Sequence, residues 1–343
     1  MTKSDESNLL QSIFDLIWYK IFPKPKDNLA ETLAEINRLW PKLPDMVSYK
    51  IPKRKDDLSI PFGESANGVE YINFKYEPHV LLTGSTGSGK SVTLRNIITS
   101  LICLYPHEIE LILIDFKIVE LAIFKRLKQV KKYVTDLDDA KEVIADEMEI
   151  CKARYKLFEE LEVNNIYDYN SKVPADKKLK YRFIVIEEFV MLTEDKKKIA
   201  ISMLKRLASI SRASGQFIII TGQRFDNTVI DLVLRANIGN RLCHKMQDEA
   251  NSKLILDEVG AEKIKNKGRM IYKCGSEKVE CQSYYISENE IQKIIKPYIK
   301  PKSTNKAIKD KTYKEVHKTS ENGAERATGV KDNIIDLSFI DNL

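Results

Sequence analysis

No stretch of this sequence approaches the ~20 uninterrupted apolar residues that a membrane-crossing helix needs. The nearest, Leu9 to Phe22, is broken by Gln11, Asp15 and Lys20, and it follows the acidic Asp5 and Glu6 instead of the positive cluster of a signal peptide. Cysteines at metal or redox spacing are also missing. The five present (Cys103, Cys151, Cys243, Cys274, Cys281) form no CxxC pair, and their odd number fits poorly with a disulfide framework. A reduced, cytoplasmic setting is the expectation. There is no strong excess of either charge: 56 Lys and Arg against 50 Asp and Glu leave a net +6, which many ordinary enzymes share, so charge alone does not argue for nucleic acid. Internal repeats are absent.

What is present is enough apolar material, 43% of 343 residues, for the core of one large α/β domain with about 100 residues left over. Leu9, Ile13, Phe14, Ile17 and Ile21 can share one side of an amphipathic helix, which would pack on its own domain or a sister subunit, or meet a membrane surface or partner. A Pro- and Lys-rich lead-in follows, with one helix around Leu29 to Trp40. From Ile60 onward, short β-branched runs alternate with longer helical segments, the pattern of βαβ units and a mostly parallel sheet.

The spacing predicts strands at Val80–Thr83, Leu111–Asp115, Phe183–Ile186, Phe217–Thr221 and Arg241–His244. It also predicts a terminal hairpin, Met270–Lys273 with Val279–Ile286. Helices are expected at Ser91–Leu104, Ile199–Ala213 and Asp138 to about Glu160, the last read as a solvated surface helix. After Pro297 the chain is too polar to bury much surface. The organisation is therefore an accessory segment at 1–58, a nucleotide-binding domain at 59–297 and a flexible tail at 298–343. The acidic and apolar end at 333–343 reads equally as a docking peptide or a stray packed helix.

Glycine is scarce, 13 in all, yet three fall in Gly84-Ser85-Thr86-Gly87-Ser88-Gly89-Lys90-Ser91, which matches G-x-x-x-x-G-K-[ST]. An apolar strand leads in and an amphipathic helix leads out, as a P-loop requires. The glycines let successive backbone N–H groups face phosphates at the positive end of a helix. Lys90 would bridge the β- and γ-phosphates of ATP, and the Ser91 hydroxyl would ligate Mg²⁺. The fold class that follows is α/β, a RecA-like P-loop NTPase with helices flanking the sheet.

A P-loop calls for carboxylates on a second strand, and Phe183-Ile-Val-Ile-Glu187-Glu188 supplies two. One can hold Mg²⁺, directly or through water, while the other takes the proton of the attacking water. Gln223, just past another strand, is placed to sense the γ-phosphate or orient water. Arg224, Arg235 and Arg241 follow closely, and any of them could be a surface arginine or a finger reaching a neighbour's phosphate.

Beyond these motifs, about two-thirds of the chain resembles the motor domain of the FtsK/SpoIIIE family. The resemblance rests on Pro78-His79-Val-Leu-Leu before the P-loop, on Ile114-Asp115-Phe-Lys117-Ile-Val-Glu120-Leu121, and on Val134-Thr135-Asp136. It continues through Glu147-Met-Glu149 with Arg154-Tyr-Lys-Leu, Glu187-Glu188-Phe189, Gln223-Arg224, Ala236-Asn237-Ile238 with Arg241, and Ile255-Leu-Asp257 running into Gly260-Ala-Glu-Lys263. It implies Glu188 as catalytic base, Gln223 as polar sensor and Arg241 as a trans-acting finger. It further implies a homo-oligomer, a ring usually of six subunits, threaded by double-stranded DNA, with Lys253, Lys263, Lys265, Lys267 and Arg269 facing the pore.

The sequence departs from the family pattern in places. The Mg²⁺-associated position holds Glu187 where Asp is usual, Phe116 and Phe225 stand where Pro is frequent, and Arg269 where Asp is common. The family's membrane-spanning N-terminus and separate winged-helix reader are not expected, which points away from chromosome segregation. The expectation is an ATP-dependent DNA translocase of a plasmid, phage or integrative element, with a relaxase, replication or transfer-machinery partner at its tails. A protein-secretion ATPase of the type VII kind and a nucleotide-switched adaptor are the alternatives.

Overall fold

The computed structural model describes residues 43–55, 58–223, 225 and 230–301. The expected helices at Leu9–Phe22 and Leu29–Trp40, Arg224, and the tail beyond residue 301, including 333–343, lie outside the described residues. The chain divides into two compact units after Lys300, and the first carries everything that follows.

One sheet organises the unit, because several of its strands are apolar on both faces and need cover on both. Six strands run parallel, in the order β6 (Val130–Val134), β5 (Ile109–Asp115), β7 (Tyr181–Glu187), β8 (Gln216–Gly222), β4 (Val80–Thr83) and β9 (Asn240–His244). From β9 the sheet continues antiparallel through β10 (Arg269–Cys274), β11 (Glu277–Tyr285), β2 (Ser59–Ser65) and β3 (Gly68–Asn73), and the short β1 (Val47–Ser48) pairs with β11. The parallel half thus agrees with the pattern of βαβ units, and the antiparallel half is larger than the one expected hairpin.

Alternation along each central strand builds two cores. Phe183 and Val185 of β7, Phe217 and Ile219 of β8, and Val80 and Leu82 of β4 join α1 (Lys90–Leu104) and α7 (Glu288–Ile295) on one face. Ile184, Ile186, Ile218, Ile220 and Leu81 face the other way, onto α2 (Leu137–Glu160), α4 (Ile199–Ser214), α5 (Leu232–Asn237) and α6 (Glu249–Leu256). Phe74, Phe183 and Phe217 meet with ring centroids 4.9 to 5.5 Å apart, a geometry that adds to plain burial.

Helix α2 is capped by Asp136, whose carboxylate accepts from the Asp139 N–H at 2.9 Å. It is more than a solvated surface helix. Glu147 and Arg154 lie on its buried stripe: Glu147 receives Arg182 and the Gln216 amide, and Arg154 donates to the carbonyls of Ser214 and Lys180. A small third cluster, built on Phe158, Ile166 and Tyr169, ties the end of α2 to α3 (Ile166–Lys172). Order extends slightly past the expected tail boundary, since Ile299 bridges Leu127 and the Lys300 N–H donates to the Arg126 carbonyl at 2.9 Å.

Candidate nucleotide site

The P-loop leaves β4 at Thr83, whose hydroxyl donates to the Gly222 carbonyl at 3.0 Å. A Cβ at Gly84 would stand 2.5 Å from Ser88 Oγ and 2.6 Å from His244 Cβ, so no larger residue fits the first bend. At Gly89, the N-cap of α1, φ is 114° and a Cβ would lie 2.9 Å from Gly268 Cα, so two glycine backbones touch there. Hydrogen bonds hold the loop from outside: Ser85 N–H to the Lys245 carbonyl at 2.8 Å, and Gly268 N–H to the Ser88 carbonyl at 2.8 Å. His244 braces the back. Its Nδ1 faces the Arg269 carbonyl at 3.1 Å, so the proton sits on Nδ1 and Nε2 accepts from the Thr93 hydroxyl at 2.9 Å.

Because β8 lies between β4 and β7, the two carboxylates reach the loop from one strand away. Lys90 Nζ is 3.2 Å from Glu187 Oε1, and both side chains are buried. Burial pushes the Glu187 carboxyl above its usual range, while the charge of Lys90 pulls it back. Its second oxygen, Oε2, is buried with no partner among the described residues. The Ser91 hydroxyl donates to Glu120 Oε1 at 2.8 Å. A hydroxyl and a carboxylate oxygen still lacking a partner are the hard ligands that a divalent cation takes, so the residues present fit one.

Glu188 is buried and turns the chain out of the strand with φ 56° and ψ 63°. One carboxylate oxygen accepts from Lys117 Nζ, and the other faces the Gln223 N–H at 3.4 Å. Gln223 Oε1 in turn accepts from the Thr86 hydroxyl on the P-loop at 3.0 Å. The loop, both acids and Gln223 thus converge on one mouth.

Two expected site residues are placed elsewhere. Arg241 is engaged within its own chain: its guanidinium donates to the carbonyls of Arg235, Ile238 and Ile255 and to Asp257, clasping α5 to α6. Arg269 is buried at 8% exposure, bound to Gln282 at 3.0 Å and to the Pro44 carbonyl at 3.0 Å, so it presents no exposed charge. Lys253, Lys263, Lys265 and Lys267 are all exposed.

The sequence reading assigned no role to Lys117, Glu120 or His244. Topology could have flagged the first two. They follow a parallel strand that neighbours β7, and in such sheets ligands gather at the carboxyl ends of strands.

Fold and site together define a P-loop NTPase. The chain belongs to the FtsK/SpoIIIE family, whose family model matches residues 44–264, and the family's members are P-loop ATPases. It is 34% identical over 252 residues to the DNA translocase FtsK of Leptospira interrogans serogroup Icterohaemorrhagiae serovar copenhageni, across 70% of this chain and 27% of that protein. With the DNA translocase FtsK of Clostridium tetani it shares 36% over 225 residues, covering 64% and 30% of the two chains. It therefore spans roughly a quarter to a third of these curated relatives' length. Among solved structures, the pCW3 conjugation coupling protein TcpA in a monomer form with ATPgS superimposes with a TM-score of 0.68, at 27% identity and 75% coverage of each chain. EssC (ATPases 2 and 3) from Geobacillus thermodenitrificans gives 0.66 at 19% identity, over 75% of this chain and 52% of that one, which is a likeness of fold. Among the described residues, no helix is long and apolar enough to cross a membrane.

Proposed function

We propose that this chain is the ATP-hydrolysing motor of a double-stranded DNA translocase, acting as a ring of six copies in the cytoplasm on behalf of a plasmid, phage or integrative element. The observation that carries the reading is a physical link. The loop bearing the exposed Lys263, Lys265 and Lys267 ends at Gly268, whose N–H is bonded to the Ser88 carbonyl of the P-loop and whose Cα lies against Gly89. A basic loop joined this tightly to the nucleotide loop can shift when the phosphates come and go. The relatives named as DNA translocases support DNA as the substrate, and the conjugation coupling-protein neighbour supports the mobile-element setting.

In this reading Lys90 leaves Glu187 for the β- and γ-phosphates, and Ser91 with Glu187 holds Mg²⁺. That cation, when bound, offsets phosphate charge. Glu188 takes the proton of the attacking water, and Gln223 orients that water against the γ-phosphorus. Lys253 and the three loop lysines grip DNA phosphates without reading bases, which a motor that regrips at each step requires. Residues 59–297 are the motor domain, while 1–58 and 298–343 attach it to a relaxase, replication or transfer partner.

The test is the salt dependence of binding to unrelated duplexes of equal length. Affinity should hardly vary with sequence. Each phosphate interaction removed by Lys253→Ala, Lys263→Ala, Lys265→Ala or Lys267→Ala should flatten the slope of log affinity against log salt by about 0.9. A slope untouched by removing all four would place the DNA elsewhere. ATPase activity indifferent to DNA but raised by a peptide would favour protein secretion.

A further inference from the structure

Hydrolysis of a triphosphate needs positive charge that strengthens its hold on the terminal phosphoryl group as the transition state forms. Arg241, the cation that the family resemblance implies for this, is bound into the clasp between α5 and α6. Lys90 supplies one charge from beneath, at the start of α1. We propose that Lys117 is a second catalytic lysine, held by Glu188 in the resting site and transferred to the terminal phosphate when nucleotide binds, which frees Glu188 to act as base. This inference rests on the ATPase reading of the same site.

The geometry of residues 115–121 suits a side chain that changes partners. The segment is pinned at both ends. Asp115 accepts the Ile118 N–H on its carbonyl at 3.1 Å and the Leu121 N–H on its carboxylate at 3.0 Å, while Glu120 takes the Ser91 hydroxyl and pairs with Arg95 at 3.0 Å. Between the pins, Phe116 at the strand end packs on the core, and the residues beyond it do not. Ile118 and Val119 are 60% and 63% exposed, so moving them uncovers no core. Ile118 also has φ 59°, a left-handed backbone that a β-branched residue adopts only under strain, and strain of this kind marks segments with more than one arrangement.

Charge gives the direction of transfer. Lys90 and Lys117 pair with Glu187 and Glu188, so the resting mouth balances itself, lysine for glutamate. The polyanionic tail of ATP then enters over the P-loop, and it outcompetes a single carboxylate for a lysine whose side chain is 41% exposed and free to swing. Glu188 cannot follow, because its side chain is only 7% exposed and its backbone is fixed at the end of β7. The exchange therefore separates the pair, placing the cation on the phosphate and leaving the carboxylate open to water. Gln223, which bonds both the P-loop and Glu188, sits where that separation would be felt.

The experiment compares Lys117→Met and Lys117→Arg with the unaltered protein. Nucleotide affinity, turnover and thermal stability are each measured with and without duplex DNA. Transfer predicts that Lys117→Met binds nucleotide within about twofold of normal and melts lower, since Glu188 loses its partner, yet at temperatures well below that melting point turns over about tenfold or more slowly under both conditions; Lys117→Arg should recover part of the loss. Turnover unchanged in Lys117→Met would overturn the proposal. Faster turnover would overturn it too, since Lys117 would then only restrain Glu188. A Lys90→Ala control separates the two readings: if that variant binds nucleotide normally, the ATPase assignment of the site fails and this inference with it. Normal wild-type behaviour with an indifferent Lys117→Met removes the inference alone.

Discussion

Glu187 and Glu188 are neighbours on one strand end, and neighbours on a strand point to opposite faces. Both nevertheless serve one mouth, because Glu188 adopts φ 56° and ψ 63°, a strained backbone costing on the order of 1–3 kcal/mol. This separates their tasks. Lys90→Ala should abolish tight ATP binding, while Glu188→Gln should keep binding and slow turnover by roughly 10²-fold or more. Measuring affinity and turnover separately checks this, and a dead Glu187→Gln beside a normal Glu188→Gln would reverse the two acids. His79 makes a second prediction at this scale. Its Nδ1 accepts the Ile218 N–H at 3.0 Å, so Nε2 donates to the Ala208 carbonyl at 2.9 Å and the ring is neutral. Complete burial lowers its pKa from 6.5 to about 4. Between those values the unfolded chain binds the extra proton and the folded one does not, so the contribution of His79 is full above about pH 6.5 and falls as pH drops toward 4, by on the order of 3 kcal/mol, with buried His244 adding to the same decline. Urea midpoints across that window should decline, and His79→Gln should flatten the decline while lowering the midpoint throughout. An unchanged slope in His79→Gln would assign the effect to other groups.

Among elements, α2 and the α5–α6 clasp show structural work done by residues that resemble functional ones. Glu147 is buried against Arg182 and the Gln216 amide. Glu147→Ala should cost about 1–3 kcal/mol, because it unpairs Arg182 Nε and Nη2 and the Gln216 amide while Glu110 still holds Arg182 Nη1, and Glu147→Gln clearly less, as read from urea unfolding. Arg241→Ala should likewise lower the melting temperature by loosening α5 from α6. Mixing it with Lys90→Ala should not restore activity, as a finger acting between subunits would. Legibility followed burial. Strands β4, β7 and β8 were readable because both faces are covered and the apolar run is continuous. The β2–β3 hairpin was not, because Pro61 and Gly63 read as breakers. Yet a bulge separates them, and Gly63 is demanded by the Gln282 carbonyl, which a Cβ would meet at 2.4 Å. Strand β6 was hidden by Lys131 and Lys132, exposed at the sheet edge. The P-loop and the paired acids could be read because their spacing is local. The neutralised resting site could not, since Lys117 and Glu188 are 71 positions apart and meet only through sheet order.

At the scale of the whole molecule, the six-stranded parallel half carries the nucleotide chemistry, and β10 and β11 continue it through β9. The segment joining α6 to β10 holds the basic loop, and the packing of Gly268 on Ser88 and Gly89 makes that loop a direct neighbour of the P-loop. Coupling between DNA and ATP is therefore expected to run through a few ångströms of backbone. A bulkier residue at Gly268 would strain φ 79° and strike the Gln282 amide at 2.6 Å, so the junction admits little change. The most direct measurement is steady-state ATP hydrolysis by the purified protein at low salt with double-stranded DNA, single-stranded DNA, a peptide or no addition. The account predicts that duplex DNA stimulates turnover, increasingly with duplex length until one ring is filled, and that replacing Lys263, Lys265 and Lys267 together removes the stimulation while leaving the unstimulated rate. Turnover that ignores duplex DNA, or a triple variant stimulated as fully as the unaltered protein, would contradict it.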